Sequence, residues 1–299
     1  VSVEVHRNVI PAGPGNRWVR EYLGLRAGRS TIPSTRVAFE GAGILDASLA
    51  HGAQLEAVLI CPELARRDVA PLVRSLADAG VPTLRVTPRT FGRLTLRDGP
   101  DGVAAIARLR PVELTAVSLA PRARVLVLDR FEGAGNVGSL LRCADAAGVR
   151  LVLVTERRVR LNHPLIVKSS VGAVFSVPIA SVTATVALEW LRARSFQLIA
   201  ADPAAAVSFR DARYAPRVAV VLGSERHGLS PAWRSAADLL VRIPMAGRVD
   251  SLNAGHAGAL FLYEVLRQHE PDGPGHANPA ADGGKPGETG RVAPTRRPR

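Results

Sequence analysis

Between residues 123 and 268 the chain alternates short apolar runs with helical segments, and this alternation restricts the possible fold more than any other feature. RVLVLD, RLVLVTE, AVFSVPIA, FQLIAAD, RVAVVLGSE and LLVRIP read as strands, with helical stretches between several of them. Strands connected through helices in this way predict an α/β unit, a mostly parallel sheet with helices on both faces. The run closes with SLNAGHAGALFLYEVLRQH. There Ala259, Leu262, Tyr263 and Leu266 fall at i, i+3, i+4 and i+7, an apolar stripe for a helix to bury.

A smaller α/β unit is expected over 36–110. RVAF leads into the helix-like EGAGILDASLAHG, LEAVLICPE is a strand, and ELARRDVAPLVRSLADAG has helical spacing ending at Gly80. PTLRVTP and VAAIARL are further strands. Residues 111–122 read as a linker between this unit and a second one over 123–270. Residues 271–299 are rich in Pro and Gly without apolar periodicity, and read as a disordered tail. Residues 1–35 form a basic N-terminal arm. Arg17, Arg20, Arg26 and Arg29, with Arg36 just beyond, stand against the single acid Glu21. Trp18 and Tyr22 lie there at helical spacing. The stretch can hold phosphates and stack bases, or it can be an amphipathic helix covering the small unit with Trp18, Tyr22 and Leu25 buried; both can hold at once.

At 299 residues and 47% hydrophobic content the chain is long enough for two domains with real cores. No apolar run approaches membrane-spanning length, and the first residues lack the apolar core of a secretion signal. Cys61 and Cys143 are too few for a disulfide framework or a zinc cluster, so no metal is expected; buried thiols in a reducing cytoplasm fit them. The net charge of +13 is almost all arginine, Lys168 and Lys285 being the only lysines. The tail contributes five basic and three acidic residues, so the basic character belongs to the folded part. Arginine suits planar, bidentate contacts to phosphate, which directs attention to nucleic acid.

FEGAGNVGSLLRCADAAGVRLVLVTE places Gly133, Gly135 and Gly138 in dinucleotide-binding spacing, with Glu156 where a ribose-binding acid would stand. Yet Asp129 to Glu132 intervene between VLVL and Gly133, too much chain for the tight turn that aims a helix at a pyrophosphate. An NAD-dependent oxidoreductase is therefore disfavoured. The same residues read as N-x-G-x-x-x-R. Asn136 caps a helix starting near Gly138, Arg142 lies about one turn in, and Leu140, Leu141, Ala144 and Ala147 cover the buried side. Two further segments share the style. VVLGSERHGLSP sets Gly223, Glu225 and Gly228 after a buried strand. VRIPMAGRVDSLNAGHAGAL sets Pro244, Met245 and Gly247 in a loop, then Ser251 and Asn253 at a helix start. Ligands bind at such carboxyl ends of open α/β sheets.

Together NVGSLLRCADAAGV, VLGSERHGL and IPMAGRVDSLNAGHAGAL, with KSSVGAVFSVPI between the first two, resemble the SPOUT superfamily, specifically the TrmH-like RNA ribose 2′-O-methyltransferases. FEGAGILDASLAHGAQLEAVLICPE and GPDGVAAIA are similar to the N-terminal, ribosomal-protein-L30e-like substrate domain of many members. The layout also resembles members that modify large-subunit rRNA and confer antibiotic resistance. Where such proteins have a proline just before the motif asparagine, this chain has Gly135.

The resemblance implies a trefoil-knotted SPOUT domain acting as a homodimer, in which Ala254, Gly255 and Gly258 would permit close helix contact. It implies S-adenosyl-L-methionine as cofactor, held at Leu222, Gly223, Ile243, Met245 and Leu252. It implies a catalytic set of Arg142, Asn136, Glu225, Ser251 and Asn253, with Glu225, Ser251 and Asn253 orienting Arg142, the cofactor or the nucleotide. His227 and His256 are read as mainly structural. The expected reaction is 2′-O-methylation of a ribose in structured RNA, with 23S rRNA favoured over tRNA. An RNA-binding module that has lost catalysis is the alternative of another class.

Overall fold

The computed structural model describes residues 9–28, 35–96 and 98–270. Arg29 and the tail 271–299 lie outside the described residues.

The N-terminal unit is a five-stranded sheet. In chain order its elements are β1 (Ile10–Pro11), α1 (Arg17–Ala27), β2 (Arg36–Glu40), α2 (Ala42–Ala50), β3 (Gln54–Ile60), α3 (Ala70–Asp78), β4 (Thr83–Arg85), α4 (Pro88–Leu94) and β5 (Val103–Arg108). The sheet order is β1-β4-β3-β5-β2, parallel along β1, β4 and β3 and antiparallel from β3 through β5 to β2. Asn16 starts α1, its side chain accepting from the Trp18 N–H, and Gly28 ends it in the left-handed conformation. Val19, Tyr22 and Leu25 are its buried face, packed with Phe91 and Leu94 of α4 against one side of the sheet. The covering-helix reading of the arm therefore holds, with Val19 buried and Trp18 only half-buried.

The C-terminal unit comprises β6 (Ala123–Asp129), α5 (Ala134–Ala146), β7 (Leu151–Thr155), α6 (Pro164–Ser170), β8 (Ile179–Val182), α7 (Ala184–Arg192), β9 (Gln197–Ala201), β10 (Val207–Ser208), β11 (Arg217–Gly223), α8 (Pro231–Ala236), β12 (Leu239–Arg242) and α9 (Ala254–His269). Its seven strands run in the order β10-β12-β9-β11-β6-β7-β8, every pairing parallel. Successive side chains of a strand point to opposite faces, and β6 shows the consequence. Leu126 and Leu128 join the core beneath α5 and α9, while Val125 and Val127 join the core beneath α7 and α8. The AVFSVPIA segment divides into a 3-10 turn at Ala173–Phe175 and β8, because Pro178 interrupts it.

Residues 111–122, expected as a linker, are docked on the C-terminal unit. Val112 donates its N–H to Ile179 O (2.8 Å), Leu114 is buried, and Trp190 Nε1 donates to Leu114 O (3.0 Å). One apolar core then runs through both units, with Phe39 and Phe175 in ring contact at 6.0 Å. The buried stripe of α9 is also rotated from the expected one. Gly255, Gly258, Phe261, Leu262 and Val265 are inside, whereas Tyr263 is exposed and Ala259 and Leu266 are half-buried. Gly258 sets this rotation, since a Cβ there would come within 2.9 Å of Leu222 Cδ1 and overlap Leu140. The close packing allowed by Gly255 and Gly258 is thus spent inside one protomer, Gly255 facing Ser139.

Candidate active site

Three loops meet at the carboxyl ends of β6, β11 and β12, beside the point where the strand order reverses between β6 and β11. The first runs from β6 into α5. Its helix begins at Ala134 with Gly133 as cap residue, so Asn136 lies inside the first turn and is not the cap expected from sequence. The glycines serve packing. A Cβ on Gly138 would lie 2.7 Å from Ile166 O and strike Ser169, so Gly138 lets α5 and α6 touch. Glu156, the other half of the dinucleotide pattern, accepts the Ala184 N–H at the start of α7 (3.1 Å).

Asn136 is the hub of the site. Its Nδ2 donates to Glu225 Oε1, and its Oδ1 accepts from Asn253 Nδ2 (3.0 Å). Asn253 in turn caps α9, its Oδ1 accepting the Gly255 N–H (2.9 Å). One asparagine amide therefore joins residues 89 and 117 positions away in the chain. Of the partners expected for Glu225, Ser251 and Asn253 (Arg142, the cofactor or the nucleotide), Arg142 is not in contact with them; Glu225 and Asn253 meet Asn136, and Ser251 donates to Asp250 Oδ1 (3.2 Å). Arg142 stands two turns along α5, exposed, with no hydrogen bond or ion pair among the described residues. Burial raises the pKa of the neighbouring Cys143 thiol against the opposing pull of Arg142, so it is not primed as a thiolate.

A buried set of contacts that the sequence reading passed over ties the first two loops together. Asp129, fully buried at the end of β6, accepts from Thr155 Oγ1 (3.1 Å) and from the Ser230 N–H (2.8 Å). Trp233 Nε1 donates to Thr155 Oγ1 (3.2 Å), and Arg130 reaches Gly228 O (3.3 Å). The available signal was an acid ending an otherwise apolar strand. The turn at 224–228 is closed by backbone bonds between Ser224 and Gly228 (2.9 and 3.1 Å), and Gly223 needs its bare Cα because a Cβ would overlap the Gly228 backbone. His227 and His256 are both exposed, and the His227 N–H donates to Ser224 Oγ (3.1 Å).

The third loop borders a small open cleft of about 100 Å³. Ile243, Met245, Ser251, Leu252 and Phe261 supply apolar walls and a hydroxyl, and Asp250 and Asp202 add carboxylates. Three of the five expected cofactor positions line it. Leu222 and Gly223 do not; the Leu222 side chain packs toward Gly258.

The arm arginines part company. Arg26 is held by Leu94 O (2.8 Å) and Thr95 O (3.1 Å). Arg36 bridges Glu21 (2.7 Å) and Glu56 (2.5 Å). Both are committed to the fold. Arg20 is exposed, and Arg17 stacks over Trp18 with 4.7 Å to the ring centroid.

The family model of the SpoU rRNA methylases matches residues 123–263. A TrmH-family relative from Staphylococcus saprophyticus is 34% identical over 181 residues, 58% of this chain and 73% of that protein. The chain belongs to the SpoU/TrmH family. The 23S rRNA (uridine(2479)-2′-O)-methyltransferase of Streptomyces viridochromogenes is 32% identical over 57% of this chain and 62% of its own length. The match spans only about three fifths of the first curated relatives. Two solved structures are similar along almost their whole length. An RNA 2′-O ribose methyltransferase has a TM-score of 0.72 at 34% identity, covering 87% of this chain and 98% of its own. The AdoMet-bound rRNA methyltransferase of Sinorhizobium meliloti has 0.77 at 27% identity, covering 88% and 98%. No helix among the described residues is long and apolar enough to cross a membrane.

Proposed function

We propose that this family member transfers a methyl group from S-adenosyl-L-methionine to a ribose 2′-oxygen of structured RNA, with large-subunit rRNA as the favoured substrate. The observation that carries the reading is the convergence of three separate loops on Asn136, the third of them bordering a cleft.

The cofactor supplies an activated, sulfonium-bound methyl as electrophile. The residues present suit it: Ile243, Met245 and Leu252 offer an apolar slot for adenine. Asn136, locked by Glu225 and Asn253, holds the first loop rigid. This matters because alignment of nucleophile and electrophile supplies much of the rate. Arg142 is exposed and unpaired among the described residues. A guanidinium stays protonated at neutral pH and is a poor base. Its part is to grip the phosphate beside the target and to stabilise charge developing on the 2′-oxygen.

The finer features of the reading follow from the same residues. α9 crosses back from β12 to pack on α5 and β11, the path a knotted C-terminus requires. Leu252, Leu260 and Tyr263 leave apolar surface beside the site, suited to a second protomer in a homodimer. The N-terminal unit, taken as L30e-like, would recognise the RNA.

The test is incorporation of labelled methyl from the cofactor into purified rRNA and, in parallel, into tRNA. The account expects rRNA to be labelled; label in tRNA alone would overturn the substrate, and label in neither would overturn the reaction.

A further inference from the structure

A second cleft, about 810 Å³ including its open mouth, lies where α6 faces the N-terminal unit. Phe39 and Leu96 form one wall, and His163, Leu165 and Lys168 form the other. Leu96 is 75% exposed and Leu165 is 41% exposed, so two large apolar side chains from different units are left bare in one groove. The exposure of Leu96 is built in. Glu40 accepts the Leu96 N–H (3.0 Å), while Arg26 holds the carbonyls of Leu94 and Thr95, so two charged side chains fix this one turn.

The cleft adjoins the active site. Leu165 Cδ2 lies 3.6 Å from where a Cβ on Gly135 would stand, and Gly135 precedes Asn136. The rim offers donors. Lys168 is exposed with no ion pair among the described residues. His163 Nδ1 accepts the Leu165 N–H (3.1 Å), so the neutral ring carries its proton on Nε2. Burial, and then the charge of Arg160, push the His163 pKa down and keep the ring neutral. Glu40 and Arg26 also line the cleft but are taken up by the turn at 94–96; an apolar floor with Lys168 and the His163 Nε2–H on its rim suits the bases and phosphates of single-stranded nucleic acid.

We infer that this cleft seats an unstacked base of the RNA strand next to the methylated ribose, with Leu96 and Leu165 as its platform and Lys168 on the adjoining phosphate. The inference rests on the RNA methyltransferase reading and deepens it. Extruding a base forfeits its stacking, which a second platform offsets.

The test uses the full chain, Leu96→Asp and Lys168→Glu, and rRNA purified from cells lacking the protein. RNA affinity, cofactor affinity and crosslinking to 4-thiouridine-substituted rRNA are measured. Each variant should weaken RNA binding about tenfold, the scale of one lost base platform, with cofactor affinity unchanged. The wild-type crosslinks should map to peptides holding Leu96 or Leu165. Unchanged RNA affinity, or crosslinks confined to other peptides, overturns the inference. So does a shift in sedimentation with RNA binding intact, which would mean that a second copy fills the groove. RNA seated in the cleft of a wild-type protein that transfers no methyl would sink the proposed reaction and leave this inference standing.

Discussion

In the N-terminal unit Arg36 bridges Glu21 and Glu56, Arg108 meets Glu56 at 2.6 Å, Arg85 meets Glu63 at 2.7 Å, and Arg26 caps two carbonyls. In the C-terminal unit, Arg142 on α5, Arg157 and Arg158 after β7 and Lys168 on α6 are exposed and make no ion pair or hydrogen bond among the described residues. The two sets of cations have opposite uses. A half-buried arginine with two carboxylates is already neutralised and contributes to the fold; a solvated one keeps its charge available for phosphate. Net charge alone does not reveal which arginines meet RNA.

The largest effect that could break this contrast is at Arg142. Replacing it with Ala should lower methyl transfer at least about 100-fold, as for the loss of a group stabilising transition-state charge. Stability should change by less than about 0.5 kcal/mol, as for an unpaired surface residue. Retained turnover would remove Arg142 from the chemistry. Gly223→Ala comes next, since its Cβ overlaps the Gly228 backbone. Overpacking of this kind costs about 1–3 kcal/mol, seen as a lower denaturation midpoint together with weaker cofactor binding in calorimetry.

Arg36→Ala supplies the converse of Arg142. It should cost on the order of 1 kcal/mol of stability, because its carboxylate partners are mostly buried. RNA affinity should stay within about twofold, the scale of a cation already neutralised; a large loss in a binding titration would return the arm to the RNA interface. The smallest expected effect is a gain. Ala134 is the first residue of α5, and Gly133 before it has φ −80° and ψ 107°, which a following proline tolerates. Ala134→Pro should add about 0.4–1 kcal/mol by restricting the unfolded chain, read from the denaturation midpoint. The position that accepts a proline is Ala134, one residue before the Gly135 singled out from sequence.

Much of this was legible in the sequence because the parallel strands are buried on both faces and read as unbroken apolar runs. The helix start at Asn253 was equally clear, since an asparagine before small residues is a capping signal. Asn136 misled for the same reason: an asparagine near a helix start suggests a cap, yet here its amide is claimed by Glu225 and Asn253, partners far away in sequence. The register of α9 was lost because glycines carry no hydrophobic signal, although Gly255 and Gly258 mark its buried face. Pairing was invisible for the arm, where Arg36 finds Glu56 only after β2 and β3 have both paired with β5.

In the proposed reaction the Asn136 cluster presents a donated methyl to a sugar oxygen. The direct measurement is digestion of RNA methylated in vitro to nucleosides, followed by mass and chromatographic identification of the labelled product. The account predicts a single 2′-O-methylnucleoside. Label on a base, with the ribose unmodified, would contradict it.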